Sequence, residues 1–158
     1  MFRINRRTDY AIRVMLCLAG RPPGSRLPTQ TVQQEMRIPR PYLQRIIADL
    51  SRAELLRTYA GPGGGLELAL PREAIHLRRI WEAIEGPLRI SDCLEGPQAC
   101  PLESGCPVNR HWLRLQSLIA QALESVTLAE LALEAGQLRP SLPLQSLAEN
   151  LLSGAAAK

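Results

Sequence analysis

Apolar residues return every three to four positions through residues 8–19, where Ala11, Val14, Met15 and Leu18 line one stripe of a predicted helix. Thr8 is placed to cap that helix, and Asp9 suits its positive N-terminal end. The proline- and glycine-bearing segment 20–26 ends it. A short helix is expected from about Thr29 to Met36, then a turn at Arg37-Ile38-Pro39, then a second helix from about Arg40 to Arg52. Pro41 is tolerated there because the first-turn N–H groups have no helical partners anyway. Tyr42, Leu43, Ile46, Ile47 and Leu50 mark the buried side of this second helix, leaving Arg40, Gln44, Arg45 and Asp49 facing outward. Two short helices joined by a tight turn have the layout of a helix-turn-helix, although such a pair alone reads equally as a generic helical hairpin.

The pattern then changes period. Residues 55–59 and 66–70 read as short strands, the second alternating Leu66, Leu68 and Leu70 with Glu67 and Ala69. Between them, Gly61-Pro62-Gly63-Gly64-Gly65 is suited to a hairpin tip. A hairpin directly after the second helix of such a pair is a wing. A phosphate-cradling loop is the weaker reading of these glycines, since no Lys-Ser/Thr follows them. Another helix is expected over 75–85, closed by Gly86-Pro87, followed by a proline-punctuated loop over 88–106. The longest helix is expected over 107–126. There Val108, Trp112, Leu115, Ile119, Ala122 and Val126 recur at alternating steps of four and three, a seam suited to pairing with another helix. Thr127 caps a last short turn to about Leu133, and the stretch from Gly136 onward reads as a flexible tail with one amphipathic turn near 147–152.

Charge sharpens this picture. The chain has 158 residues and a net charge of +4, but residues 1–60 hold 11 Lys+Arg against 4 Asp+Glu, and the remainder is net negative. A basic first third points to a polyanionic partner. With few aromatic residues, the core must be aliphatic. No run approaches the roughly 20 apolar residues that cross a bilayer, and no apolar segment with a cleavage site follows the N-terminus. A cytoplasmic protein without membrane contact is the expectation. Of four cysteines, Cys17 sits in the first apolar helix as a small buried hydrophobe, while Cys93, Cys100 and Cys106 cluster as C-x6-C-x5-C. In a reducing compartment such a cluster favours a metal or redox site over disulfides. Soft thiolates suit an iron–sulfur cluster, zinc or copper(I). Zinc sites usually show tighter spacing, and a cluster-free dithiol switch is a further alternative. A thiol oxidoreductase is disfavoured, with no Cys-x-x-Cys and only His76 and His111 in the chain.

Several short motifs, together and in order, resemble the Rrf2 family of bacterial transcription regulators. They are Thr8-Asp9-Tyr10-Ala11, Pro41-Tyr42-Leu43, the wing Gly61-Pro62-Gly63-Gly64-Gly65 with Leu68-Ala69, Ile84-Glu85-Gly86, the three cysteines, and Thr127-Leu128-Ala129-Glu130-Leu131. They span about residues 1–133. The resemblance implies a mainly α fold with a small β wing: a winged helix-turn-helix followed by a long C-terminal dimerisation helix that crosses its partner. The corresponding division is a DNA-binding domain over 1–86, a cysteine cluster-binding loop over 87–106, the dimerisation helix over 107–135, and the tail over 136–158.

The function implied is a homodimeric regulator, a repressor, whose binding to a double-stranded operator follows an iron–sulfur cluster sensing nitric oxide, iron or redox status. That cluster is of two-iron (2Fe–2S) or four-iron (4Fe–4S) type. Cys93, Cys100 and Cys106 supply three ligands. The resemblance implies Asp9 of the opposite subunit as the fourth. The family's cluster-biogenesis branch has a histidine three residues past the third cysteine, where Asn109 stands here, and His111 is the fallback. The expected DNA contacts are Thr29 to a phosphate, Arg40, Gln44 and Arg45 to bases or phosphates, Tyr42 beside them, and Gly63 and Gly64 at the wing. Relatives often carry an arginine just before the wing glycines; Ala60 stands there instead, leaving Arg57 for phosphate contacts. The rival functions are a zinc- or thiol-switched winged-helix regulator and a protein-interaction adaptor that does not bind DNA.

Overall fold

Asn5 starts the first helix: its side-chain oxygen accepts a hydrogen bond from the Arg7 N–H at 2.7 Å. The computed structural model describes residues 4–94, 100 and 105–138. It opens with α1 (Arg6–Ala19), α2 (Thr29–Met36) and α3 (Arg40–Arg52). Thr8 is therefore not the cap expected of it. It lies inside the first turn, fully buried, and its hydroxyl donates to the Glu85 carboxylate. That partner is distant in sequence, so no local pattern could reveal it. The turn between α2 and α3 is made by Arg37 in a left-handed conformation, φ 51°.

The core is aliphatic. Val14, Met15 and Leu18 of α1 meet Val32 of α2 and Leu43, Ile46 and Leu50 of α3, with Leu55, Leu66, Ile75, Ile80 and Leu128 closing the cluster. The wing consists of β1 (Leu56–Tyr59) and β2 (Gly65–Leu68), antiparallel, with Leu56 opposite Leu68 and Tyr59 opposite Gly65. Leu27 adds a one-residue third strand, exchanging both backbone hydrogen bonds with Leu66 at 3.0 and 2.8 Å. A side chain at Gly65 would put its Cβ 2.3 Å from the Leu27 carbonyl oxygen, so this crossing requires glycine.

A 3-10 turn (Arg72–Ala74) leads to α4 (Leu77–Glu85). The expected start at Ile75 is too early, because residues 75–77 are used elsewhere. The Ile75 carbonyl accepts from the Leu128 N–H at 2.7 Å, and the Leu77 N–H donates to Val126 O at 2.9 Å. The same pairing corrects the far end. The longest helix, α5 (Pro107–Glu124), stops before Val126, whose backbone is drawn into this corner. Thr127 then caps α6 (Leu128–Leu138) in a reciprocal box: Glu130 N–H donates to Thr127 Oγ1 at 3.2 Å, and Thr127 N–H to Glu130 Oε2 at 2.8 Å. This box carries the helix past Leu133 and through Gly136, three residues into the stretch expected as tail. Residues 139–158, including the amphipathic turn expected at 147–152, lie outside the described residues. Among the described residues, no helix is long and apolar enough to cross a membrane.

Candidate DNA interface and cysteine loop

Burial of Leu43, Ile46 and Leu50 turns the opposite side of α3 to solvent, where Arg40, Gln44 and Arg45 are exposed. Among the described residues none of the three makes a side-chain hydrogen bond or ion pair, so their donors are free for a ligand. Thr29 is exposed as the first residue of α2, where unpaired helix N–H groups favour an anion. Two side chains of α3 depart from the expected arrangement. Tyr42 is not on the buried side: it is 48% exposed, its ring edge-on to Tyr10 of α1 with centroids 5.9 Å apart. Asp49 does not face freely outward. It is bonded to Arg7 at the start of α1 and to Arg52 at 2.9 Å, with 13% of its side chain exposed.

Partial burial pushes the Asp49 carboxyl up, but hydrogen bonds and charge from Arg7 and Arg52 together hold it below the ordinary carboxylate value. Folding thus favours the ionised form, so its contribution is present at neutral pH and is lost as pH falls through the lowered value. Asp49→Asn should lower the urea midpoint at pH 7 and less at a pH below the ordinary carboxylate value of 3.8. An equal loss at both would show that the ion pairs do not stabilise the α1–α3 packing.

The wing tip needs its glycines. Gly61 and Gly63 have φ of 81° and 77°, and a Cβ on Gly64 would fall 2.3 Å from the Tyr59 carbonyl oxygen. Beside the tip lies a residue that sequence reasoning missed. Arg26 stacks its guanidinium on the Tyr59 ring, 3.7 Å from the centroid, with Nε 3.3 Å from Glu67. A one-residue strand at Leu27 is too short to leave a periodic signal, so Arg26 read as loop.

The cysteines occupy the other end of the chain's path. Cys93 lies in a 3-10 turn (Asp92–Leu94), its sulfur 3.1 Å from Ser91 Oγ. Cys106 is the N-cap residue of α5, and an open hollow of about 400 Å3 beside it is lined by Asn109, Arg110 and His111. Asn109, buried in the first turn of α5, donates to the Cys93 carbonyl oxygen at 3.5 Å; the Ile90 N–H donates to Gln116 at 3.3 Å. The loop is thereby fastened to α5 on the N-terminal side of its cysteines. All three thiols are free and partly exposed. Cys100 is described between the undescribed stretches 95–99 and 101–104. Among the described residues, no three His, Cys, Asp or Glu side chains converge as a metal site. Three soft donors on a loop tied to one helix start nevertheless have the chemistry an iron–sulfur cluster takes, one ligand short.

Asp9 sits apart in α1, paired with Arg13 at 2.8 Å, both half-exposed. His111 is exposed on α5. Cys17 is buried as expected, its sulfur 3.4 Å from Glu35 Oε2.

Comparison with known proteins agrees with this architecture. The sequence profile of the Rrf2 family, described as an iron-dependent transcriptional regulator, matches residues 4–134. A candidate HTH-type transcriptional regulator of Haemophilus influenzae is 30% identical over 122 residues, covering 77% of this chain and 81% of its own. The HTH-type transcriptional regulator IscR of Vibrio cholerae is 26% identical over 132 residues, covering 84% and 76%. Among solved structures, CymR of B. subtilis, described as the global cysteine regulator, superposes with a TM-score of 0.68 at 26% identity, covering 84% of this chain and 97% of its own.

Proposed function

Because the chain belongs to the Rrf2 family of transcription regulators, which are not enzymes, we propose that it acts in the cytoplasm as a homodimeric repressor whose operator binding is set by an iron–sulfur cluster. The ligands in this reading are Cys93, Cys100, Cys106 and Asp9 of the partner subunit. The observation that carries the DNA-binding part is the free, exposed set Arg40, Gln44 and Arg45 on α3, directly followed by a glycine-tipped wing.

The two copies of α3 would enter successive major grooves about 34 Å apart. Arginine reads guanine and glutamine reads adenine through paired hydrogen bonds. Thr29 donates its hydroxyl hydrogen to a backbone phosphate at the start of α2, Tyr42 braces the helix against α1, and Gly63 and Gly64 allow close approach of the wing backbone. The bound cluster supplies a centre that reacts with nitric oxide or follows iron supply and redox poise. The chain's own part is mechanical. Asn109 and Gln116 tie the cysteine loop to α5, and the Thr8–Glu85 bond ties the end of α4 to α1, whose Arg7 holds α3 through Asp49. A loop that changes shape would bear on α5, and through the 3.8 Å approach of Arg78 in α4 to Glu124 in α5 on the contacts that reach the reading helix. A coupling of about 3 kcal/mol would change operator affinity by more than a hundredfold.

A second reading, a thiol- or zinc-switched regulator, is favoured by the Asp9–Arg13 ion pair, which occupies the implied fourth ligand, and by the likeness to a cysteine regulator. Anaerobic purification with absorbance and Mössbauer spectra separates the two: iron signals support the cluster, and a colourless zinc or metal-free protein supports the alternative. DNA binding itself is tested by salt titration. Affinity should fall steeply with salt as counterions are released, and Gln44→Ala and Arg45→Ala should each cost about 1–3 kcal/mol on the selected operator. Absence of binding at any salt would leave only the adaptor.

A further inference from the structure

The hairpin tip has no charged side chain: Ala60 precedes it and residues 61–65 are glycine and proline. A cation reaches the wing by another route. Leu27 pairs with Leu66 through two backbone hydrogen bonds and brings the preceding residue, Arg26, against the hairpin near its tip. There Arg26 stacks on Tyr59, 3.7 Å from the ring centroid, and its Nε meets Glu67 at 3.3 Å. The exposures are unequal: 48% of the Arg26 side chain is open to solvent, against 15% for Glu67. The carboxylate is thus tucked beneath and the guanidinium stays presented. Arg57 lies two residues before Tyr59 and opposite Glu67, so it shares that face of the hairpin and leaves it net positive.

A guanidinium held flat by an aromatic ring and a carboxylate has little rotamer freedom left to lose on binding. The adjoining run Gly63-Gly64-Gly65 has no side chains to keep its backbone out of a groove. A narrow A/T-rich minor groove concentrates negative potential and attracts an inserted arginine. We propose that Arg26, clamped by Tyr59 and Glu67, is the groove-reading cation of the wing and selects A/T-rich steps flanking each half-site. The proposal rests on the DNA-binding reading above and adds to it a specificity-determining residue.

Selection from a random duplex pool tests it, using the full chain and the variants Arg26→Ala, Arg26→Lys and Arg57→Ala. The wild type should enrich A/T pairs outside the bases read by α3. Arg26→Ala should lose that flank enrichment, keep the inner bases, bind the wild-type site about tenfold more weakly, and show a salt slope shallower by about one charge per subunit. Arg26→Lys should keep the slope and lose the flank enrichment, and Arg57→Ala should keep the enrichment. Should Arg26→Ala not fold, as read by circular dichroism, Arg26→Lys decides alone. The inference is overturned if the wild type shows no A/T flank preference, if either Arg26 variant retains it, or if Arg57→Ala loses it equally. A wild type that binds no duplex at all overturns the DNA-binding reading, and this inference with it.

Discussion

Leu115→Glu is expected to convert the proposed homodimer to monomer and to weaken operator binding by two to four orders of magnitude. The reason is the state of α5 within one chain. Of its 18 residues only Asn109 is buried, while Val108, Trp112, Leu113, Leu115 and Leu118 are between 39% and 55% exposed. Single exposed apolar residues need no explanation, but Val108, Trp112 and Leu115, which at 100° per residue fall within about 60° of one another, make one apolar side along α5, and that does. Burying such a side chain from full exposure is worth about 1.5–3 kcal/mol, and each of these is already about half-buried. A second α5 laid against this side therefore supplies roughly half that figure per side chain, in both copies, toward the cost of association. In a two-fold contact every substitution counts twice. A glutamate at position 115 would then desolvate two unpaired carboxylates at several kcal/mol each. Operator affinity falls with the dimer, because joining two half-site readers raises affinity by about 10²–10⁴ over either one. Sedimentation velocity checks the association state and fluorescence anisotropy the affinity. Binding to an isolated half-site should be unchanged, which separates lost dimerisation from lost folding. A Leu115→Glu protein that remains dimeric would remove α5 from the interface.

How much of this was legible in the sequence depended on whether each residue's partner is near or far along the chain. The limits of α2 and α3 could be read because a proline stands directly before each and an apolar stripe runs through α3. Glycines 61, 63, 64 and 65 announced the wing because their backbone conformations and close contacts exclude side chains. The misreadings share one cause. Thr8 has the chemistry of a cap but is claimed by Glu85, and Val126 continues the apolar seam but is claimed by Leu77. Asp49 lies on the polar side of α3 but is claimed by Arg7. Arg26 is the converse case, since only the Leu27–Leu66 bridge gives it a place. For the cysteine site, residue type was legible and geometry was not. Nothing in a C-x6-C-x5-C spacing indicates that Asn109 would fasten Cys93 to the start of α5, or that Arg13 would hold Asp9.

If Cys106 holds the proposed iron–sulfur cluster, Cys106→Ser is expected to abolish visible absorbance and the signal response while leaving the fold intact. Position 106 makes the test a clean one. It is the N-cap of α5, with extended backbone, and serine is among the preferred residues there, so the helix start is kept or slightly strengthened. The thiol is partly exposed, and replacing sulfur by oxygen creates no core cavity. What changes is the ligand: a hydroxyl is a hard and weak donor to iron–sulfur centres, which are held by thiolates. With two of three cysteines left, the ratio of operator affinity between untreated protein and protein exposed to nitric oxide should collapse from about a hundredfold to near unity. Cys100→Ser should behave alike, and Cys17→Ser should not, because Cys17 sits in the core beside Glu35. Asp9→Ala separates the fourth-ligand assignment from the thiol site. It should alter the absorbance spectrum of the dimer if Asp9 of the partner subunit completes the site, and merely release Arg13 if it does not. The measurements are anaerobic absorbance, iron content and anisotropy before and after nitric oxide. Cys106→Ser protein that stays coloured, keeps its iron and still responds would mean that this sulfur holds no cluster.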